Sequence, residues 1–141
     1  MRPPLHALLL GRERGTSRRA VGLAAVLSAV VFAAYELVLH SALGGAVWYP
    51  YPVAGLAVAA AAAHAYRNDG LLVSVVVGLC PAVGYDLYHF GGLHSAAPNS
   101  LLLAATSPSL LVGLAYASLG FVAGATLSRL AGAVGPATDA V

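Results

Sequence analysis

The chain has 141 residues, of which 60% are hydrophobic and only 9% are charged, and its formal net charge is +2. Its mean hydropathy of +0.83 argues against an ordinary water-soluble domain, which could not bury so much apolar surface in a core of this size. Ionisable residues gather at the N-terminus and in short connections. This pattern predicts an all-α, polytopic membrane protein, with a bundle of four transmembrane helices over residues 20–131.

The N-terminal segment, residues 1–19, is predicted to be a cytoplasmic tail because five arginines precede the first long apolar run. Residues 20–40 form the first predicted helix, since about twenty apolar residues at 1.5 Å each match a hydrocarbon layer of about 30 Å. A second interpretation takes Ser17-Arg18-Arg19 and the apolar run as a cleaved twin-arginine signal peptide. The length of the run favours a retained helix.

The first predicted helix contains one acid, Glu36, on the same helical face as its small residues. A carboxylate facing lipid at mid-depth would cost at least about 2.5 kcal/mol. Glu36 is therefore predicted to point into the bundle.

The second predicted helix covers residues 52–66 and starts near Pro50 or Pro52, after the interfacial aromatic residues Trp48 and Tyr49. A polar turn follows at residues 67–70, where Asn68 or Asp69 could cap the next helix. These features predict a helical hairpin.

The third predicted helix covers residues 70–90 and contains Pro81 near its middle. Pro81 cannot donate a hydrogen bond to the carbonyl of Val77, so a kink is expected there. The proline is either an ordinary feature of a membrane helix or a hinge beside a ligand site.

The fourth predicted helix covers residues 108–130, because Ser107-Pro108 is a typical helix start, and residues 132–141 form a predicted flexible cytoplasmic tail. Small residues recur along one face of this helix at spacings of three and four, which favours close helix packing. They include Gly113, Ala117, Gly120 and Gly124.

The arginines predict orientation, because short segments that carry positive charge stay on the cytoplasmic side. With four spans, the N-terminal cluster, Arg67 and Arg129 all lie on one side. The chain is therefore predicted to be a multi-pass protein of the cell membrane with both termini in the cytoplasm. Anionic headgroups of the lipid bilayer explain the arginines without any nucleic-acid partner.

Two segments of the chain resemble each other. Tyr35-Glu36-Leu37 matches Tyr85-Asp86-Leu87, and His40-Ser41-Ala42 matches His94-Ser95-Ala96 in the same order. Two duplicated helical hairpins would explain this pattern. Coincidence is the competing explanation in a chain with so few residue types.

Four side chains of metal-ligand type are expected near one end of the bundle, with tyrosines as their hydrogen-bonding neighbours. Carboxylate and imidazole groups spaced by three or four residues suit a metal site, a proton-sharing pair or a purely structural cluster. Polar residues are sparse at other depths, which favours a site open to the exterior over a relay across the membrane. The candidates are Glu36, His40, Asp86 and His89, with Tyr35 and Tyr85 beside them.

No catalytic motif is recognisable, and the lone Cys80 leaves no cysteine partner within the chain for a disulfide. We therefore predict a non-enzymatic membrane protein without a cofactor, whose polar cluster fixes the helices or recognises a membrane subunit or a second copy. The alternative is a small transporter or channel component that binds a cation or proton through Glu36 and Asp86. An intramembrane metalloenzyme would need a bound metal, which these ligands permit. The absence of lysine and the high alanine content are typical of a prokaryotic genome of high GC content, a halophilic archaeon being one candidate source.

Overall fold

The computed structural model describes residues 9–39, 51–91, 102 and 106–134. Within these ranges the chain is all-helical and contains four long helices, α1 (Arg14–Leu39), α2 (Tyr51–Asn68), α3 (Leu71–Gly91) and α4 (Pro108–Val134). Three of them, α1, α3 and α4, are long and apolar enough to cross a membrane. The predicted roles of His40, Trp48 and Tyr49, and of His94 in the repeat, lie outside the described residues.

α1 begins at Arg14, six residues before the predicted start of the first helix. The prediction followed the apolar run, whereas hydrogen bonds set the actual start. Ser17 N donates to Glu13 O at 3.1 Å, and Thr16 Oγ1 donates to the Glu13 carboxylate at 2.9 Å. The first of these is the backbone bond of the first helical turn, so α1 begins inside the arginine-rich segment.

The turn between α2 and α3 is formed by Asp69 and Gly70. Asp69 has a left-handed backbone, with φ of +53°, and its N–H donates to Ala65 O at 2.9 Å, which ends α2. α3 starts with Ser74 N donating to Gly70 O at 3.0 Å. A Cβ on Gly70 would lie 2.7 Å from Gly11 N, so only glycine fits against the N-terminal segment.

α3 is the central helix of the bundle, with contacts to α1, α2 and α4. α2 and α4 share the largest interface, while α1 packs on α3 and touches α2 only slightly. Two hairpins related by a twofold axis would give α1 and α4 an interface like that of α2 and α3. Among the described residues α1 and α4 barely touch, so the packing does not support a symmetric duplication.

Small residues fill the interface among α2, α3 and α4. A Cβ on Gly78 of α3 would lie 2.6 Å from the Cβ of Ala117 and 2.9 Å from that of Ala61. On α4, Gly120 and Gly124 lie against the backbone of α2, and a Cβ on Gly113 would lie 2.9 Å from a side chain of α3. A Cβ atom would be too close to a neighbouring helix at each of these glycines, so the helix backbones approach closely.

The largest apolar side chains point away from the bundle. Leu23 and Leu37 of α1 are 70% and 75% exposed, and Leu111 of α4 is 71% exposed. In contrast, Asn68 and Asp86 are almost fully buried. This distribution is the reverse of the one in water-soluble proteins, which bury leucine and expose charged residues.

The two ends of the bundle differ in composition. Arg12 pairs with Asp69 at 3.5 Å, and the parallel contacts of α4 with α2 put Arg129 level with Arg67. We call this the arginine end, defined by Arg12, Arg67 and Arg129. The opposite end, where Tyr35 of α1 meets Tyr85 and Tyr88 of α3, is the tyrosine end.

Candidate functional site

Asp86 is the most deeply buried acid of the described residues, with an exposed fraction of 0%. It lies on α3 near the tyrosine end. Ser107 Oγ donates to Asp86 Oδ2 at 2.6 Å, and Ser109 Oγ donates to Asp86 Oδ1. These serines flank Pro108, the first residue of α4. The three side chains, which we call the Asp86 site, therefore join α3 to the start of α4.

The start of α4 is an electrostatically favourable place for a carboxylate. The first N–H groups of a helix lack carbonyl partners within it, and the helix dipole is positive there. Leu110 N donates to Ser107 O at 3.2 Å and closes the first turn. Two hydroxyl groups and a helix N-terminus thus replace the water that a buried carboxylate gives up. The ion pair of Arg12 with Asp69 lies at the arginine end, far from this site.

Tyrosine rings connect α1 with α3 beside the Asp86 site. The ring of Tyr35, which is 6% exposed, lies 5.1 Å from that of Tyr85 in an edge-to-face arrangement and 5.9 Å from that of Tyr88. Such aromatic pairs contribute about 0.5–1.5 kcal/mol beyond their buried area. Because Tyr85 faces α1 and its neighbour Asp86 faces α4, successive residues of α3 hold two different helices.

The remaining predicted ligands have separate surroundings. Glu36 is 9% exposed and lies beside Tyr35 in α1. His89 is exposed, and its ring stacks on Tyr85 with centroids 5.7 Å apart. The described residues contain no group of three histidine, cysteine or acidic side chains able to hold a metal ion. A site shared by Glu36 and Asp86 stays a prediction.

Pro81, the predicted hinge, lies within an uninterrupted α3. Its side chain is fully buried. Gly78 on one side of it contacts α2 and α4, and Gly84 on the other side contacts the backbone of α1 at Ser28. The proline therefore lies where α3 is packed on several sides by its neighbours.

A second buried polar pair, His64 and Ser74, was not among the predicted site residues. His64 Nδ1 lies 2.9 Å from Ser74 Oγ, and the two residues are 6% and 0% exposed. Ser74 Oγ also donates to Gly70 O at 2.6 Å. Both lie five residues from Asp69, so a tight turn between antiparallel helices brings them together. That symmetric spacing was visible in the sequence.

Asn68 forms a third buried polar group, at the arginine end. Its Oδ1 accepts from Glu13 N at 2.8 Å, and its Nδ2 donates to Ser17 Oγ at 2.8 Å and to Glu13 O at 3.2 Å. Its own carbonyl accepts from Arg12 N at 3.0 Å. Asn68 was predicted as one possible cap of α3, but its side chain instead binds the start of α1. These partners are more than fifty residues away, so no local pattern indicates them.

In both the His64–Ser74 pair and the Asp86 site, the serine hydroxyls donate to other groups of the chain. Ser74 is beside a histidine, but it is fully buried and its hydroxyl hydrogen is donated to Gly70 O. The serines of the Asp86 site are hydrogen-bonded to the carboxylate. No protein-family model, curated protein or solved structure matches the chain.

Proposed function

We propose that the chain is a non-enzymatic integral membrane protein that crosses the bilayer four times. The observation that carries this proposal is the outward orientation of the large apolar side chains. On α1 and α4 they form surfaces that water would not solvate favourably and that acyl chains would. These side chains include Leu23, Val26, Val30, Leu37, Leu111, Leu119 and Val122.

α2 fits this arrangement as a fourth span, although its composition alone does not identify it as one. Its 18 residues extend about 27 Å, close to the hydrocarbon thickness. Its polar residues His64 and Asn68 are buried and hydrogen-bonded to other parts of the chain. Lipid would therefore meet mainly alanine and other apolar side chains of α2.

The arginine end is proposed to lie in the cytoplasm. Arg12, Arg67 and Arg129 come from separate parts of the chain and gather at one end, as the positive-inside rule requires. Both termini of the chain would then be cytoplasmic, and the tyrosine end would face the exterior.

The molecular role that the contacts support best is structural. At the tyrosine end, the Asp86 site and the tyrosine rings bind α1, α3 and α4 to one another. The protein would act as a compact subunit that presents the exposed face of α1 to another membrane protein or to a second copy. The fixed, buried position of Asp86 supports this role over a freely accessible binding site.

Single-cysteine labelling in the Cys80→Ala background tests the membrane proposal. His89→Cys, at the tyrosine end, should react with a membrane-impermeant maleimide on intact cells. Arg14→Cys, at the arginine end, should react only after permeabilisation. Recovery of the folded chain in the aqueous fraction after alkaline carbonate treatment, without detergent, would overturn the proposal.

A second candidate function, proton or cation binding through Glu36 and Asp86, is favoured by one observation. Ser107 Oγ lies 2.8 Å from Ser109 Oγ, so the Asp86 site contains three oxygen–oxygen contacts but only two hydroxyl hydrogens. Oxygen atoms gathered in this way are the groups that a proton or a hard cation binds.

Separate Glu36→Gln and Asp86→Asn variants distinguish the two functions. The structural role predicts that each variant changes assembly or stability and nothing else. The ion-binding role predicts stable, assembled protein that no longer supports proton- or cation-dependent uptake in reconstituted vesicles. Wild-type vesicles without any such uptake would exclude the second candidate.

A further inference from the structure

A cleft of about 400 Å³ lies between α1 and α2 at the arginine end. It exists because α1 packs on α3 and barely touches α2. Its volume falls within the range of about 300–1,000 Å³ that is usual for small-molecule sites. The helix contacts of the bundle leave this cleft open.

The lining of the cleft is polar at one end and apolar along its length. Thr16, Arg19 and Arg67 lie at the end nearest the N-terminus of α1, and Leu23 and Leu27 continue along α1. On α2, alanines line the opposite wall. Both arginines are exposed, so their guanidinium groups are available to an anion.

His64 adds a buried polar group one turn along α2 from Arg67. Ser74 Oγ donates its only hydrogen to Gly70 O, so His64 Nδ1 must be the donor in its contact with Ser74. His64 is one of the residues that line the cleft, and its side chain is only 6% exposed. Its contact with Ser74 fixes the imidazole ring, so His64 forms a rigid part of the cleft wall.

The seam between α1 and α2 continues beyond the cleft. A second cavity of about 140 Å³, lined only by apolar side chains and the Tyr35 ring, lies nearer the tyrosine end. Val31 and Val38 of α1 form one wall, and Val53 and Leu56 of α2 form the other. Both cavities therefore lie between the same two helices, and the second is the more apolar.

We propose that the cleft between α1 and α2 binds one anionic glycerophospholipid. Its phosphate lies between Arg19 and Arg67, at the polar end of the cleft. One acyl chain lies against the apolar walls of the cleft and points toward the second cavity. The charged rim suits the headgroup, and the apolar lining suits the acyl chain.

This proposal rests on the proposed membrane location, and lipid titration followed by native mass spectrometry tests it. Detergent-solubilised protein is titrated with phosphatidylglycerol, with phosphatidylcholine of the same acyl chains, or with soluble glycerol phosphate. We expect phosphatidylglycerol to bind at least about tenfold more tightly than phosphatidylcholine. The Arg19→Gln/Arg67→Gln variant should reduce that preference to less than about twofold.

The matched control is Arg18→Gln/Arg129→Gln, which removes the same charge from outside the cleft. It should retain the preference of the wild-type protein. Equal binding of both lipids by wild-type protein would mean that bulk acyl chains or another segment occupies the cleft, and would overturn the proposal. An equal loss in the control, or tight binding of glycerol phosphate, would also overturn it. Failure of the membrane location itself is distinguishable, because the protein would then remain soluble without detergent.

Discussion

Alanines cover both sides of α2, but one side forms a closely packed interface and the other lines an open cleft. Toward α3 and α4, Ala57, Ala61 and Ala65 are buried almost completely, and glycines of α4 lie directly on the α2 backbone. Toward α1, Ala60 and Ala63 line an open cleft. The alanines of α2 therefore do not determine whether an interface closes.

The difference lies in the partner helix. Gly120 and Gly124 of α4 lie directly against backbone atoms of α2, so the axes of the two helices approach closely. α1 presents Leu23 and Leu27 to the cleft, and nothing lies within 4 Å of the Cβ position of its Gly22. At the open interface, the connection depends on hydrogen bonds at the arginine end, where Asn68 binds the start of α1. Packing closes one side of α2, and polar contacts hold the other.

Gly124→Leu should have the largest effect, because any Cβ there meets the Ala62 backbone in the closed interface. We expect a loss of about 3 kcal/mol in the free energy of unfolding, measured by denaturant titration in detergent micelles. Gly132→Leu is the matched control on the same helix, since nothing lies within 4 Å of its Cβ position. Leucine favours a helix more than glycine does, so similar losses in both variants would mean that the cost does not arise from contact with α2.

Asn68→Leu tests the polar connection on the open side. It removes one acceptor and two donor interactions and leaves Glu13 N without its partner, whereas Ser17 Oγ and Glu13 O keep contacts near the start of α1. We expect a loss of roughly 2–3 kcal/mol, with faster proteolysis within the start of α1. Ser17→Ala removes only one of these contacts and should cost about 1 kcal/mol. Unchanged proteolysis in Asn68→Leu would show that packing on α3 alone positions α1.

Asp86→Leu tests the polar connection at the other end of α3. It leaves the hydroxyls of Ser107 and Ser109 without their acceptor, at an expected cost of about 2 kcal/mol in the free energy of unfolding. Asp86→Asn keeps an oxygen acceptor and should cost about 1 kcal/mol. The double-mutant cycle of Asp86→Leu with Ser107→Ala checks the assignment, and strictly additive losses would contradict it.

Ala63→Leu should have the smallest effect, because the added atoms enter the open cleft. We expect a change of less than about 0.5 kcal/mol in the free energy of unfolding, as for other substitutions at sites with free space. Ala61→Leu, two residues away on the closed side, should cost several times more because Ala61 is 0% exposed. Equal costs for the two variants would remove the distinction between the interfaces.

The sequence predicted the elements that depend on local patterns. The polar turn after α2 and the start of α4 at Pro108 follow from proline, asparagine, aspartate and serine at helix ends, and the structure has both. The helical content follows from the apolar runs. The start of α1 was misplaced because Arg14–Arg19 is polar in composition, and its helical state depends on distant contacts with Asn68.

The side-chain partners were harder to predict than the helices. Ser107 was identified only as a helix start, because nothing local indicates that Asp86, twenty-one residues earlier, accepts from it. His64 and Ser74 could have been found, since their equal distance from the turn fixes their proximity. The cleft could not be predicted, because it results from the spacing between α1 and α2, which depends on how both pack on α3.

The two-residue turn between α2 and α3 has a consequence for biogenesis. α2 is not apolar enough to be expected to partition from the translocon alone, whereas α3 is. In the proposed membrane location, the two helices would enter the bilayer together as a hairpin, because Asp69 and Gly70 join them tightly and the His64–Ser74 hydrogen bond forms across the turn. Lengthening this turn should therefore impair insertion of α2 before it affects the folded protein.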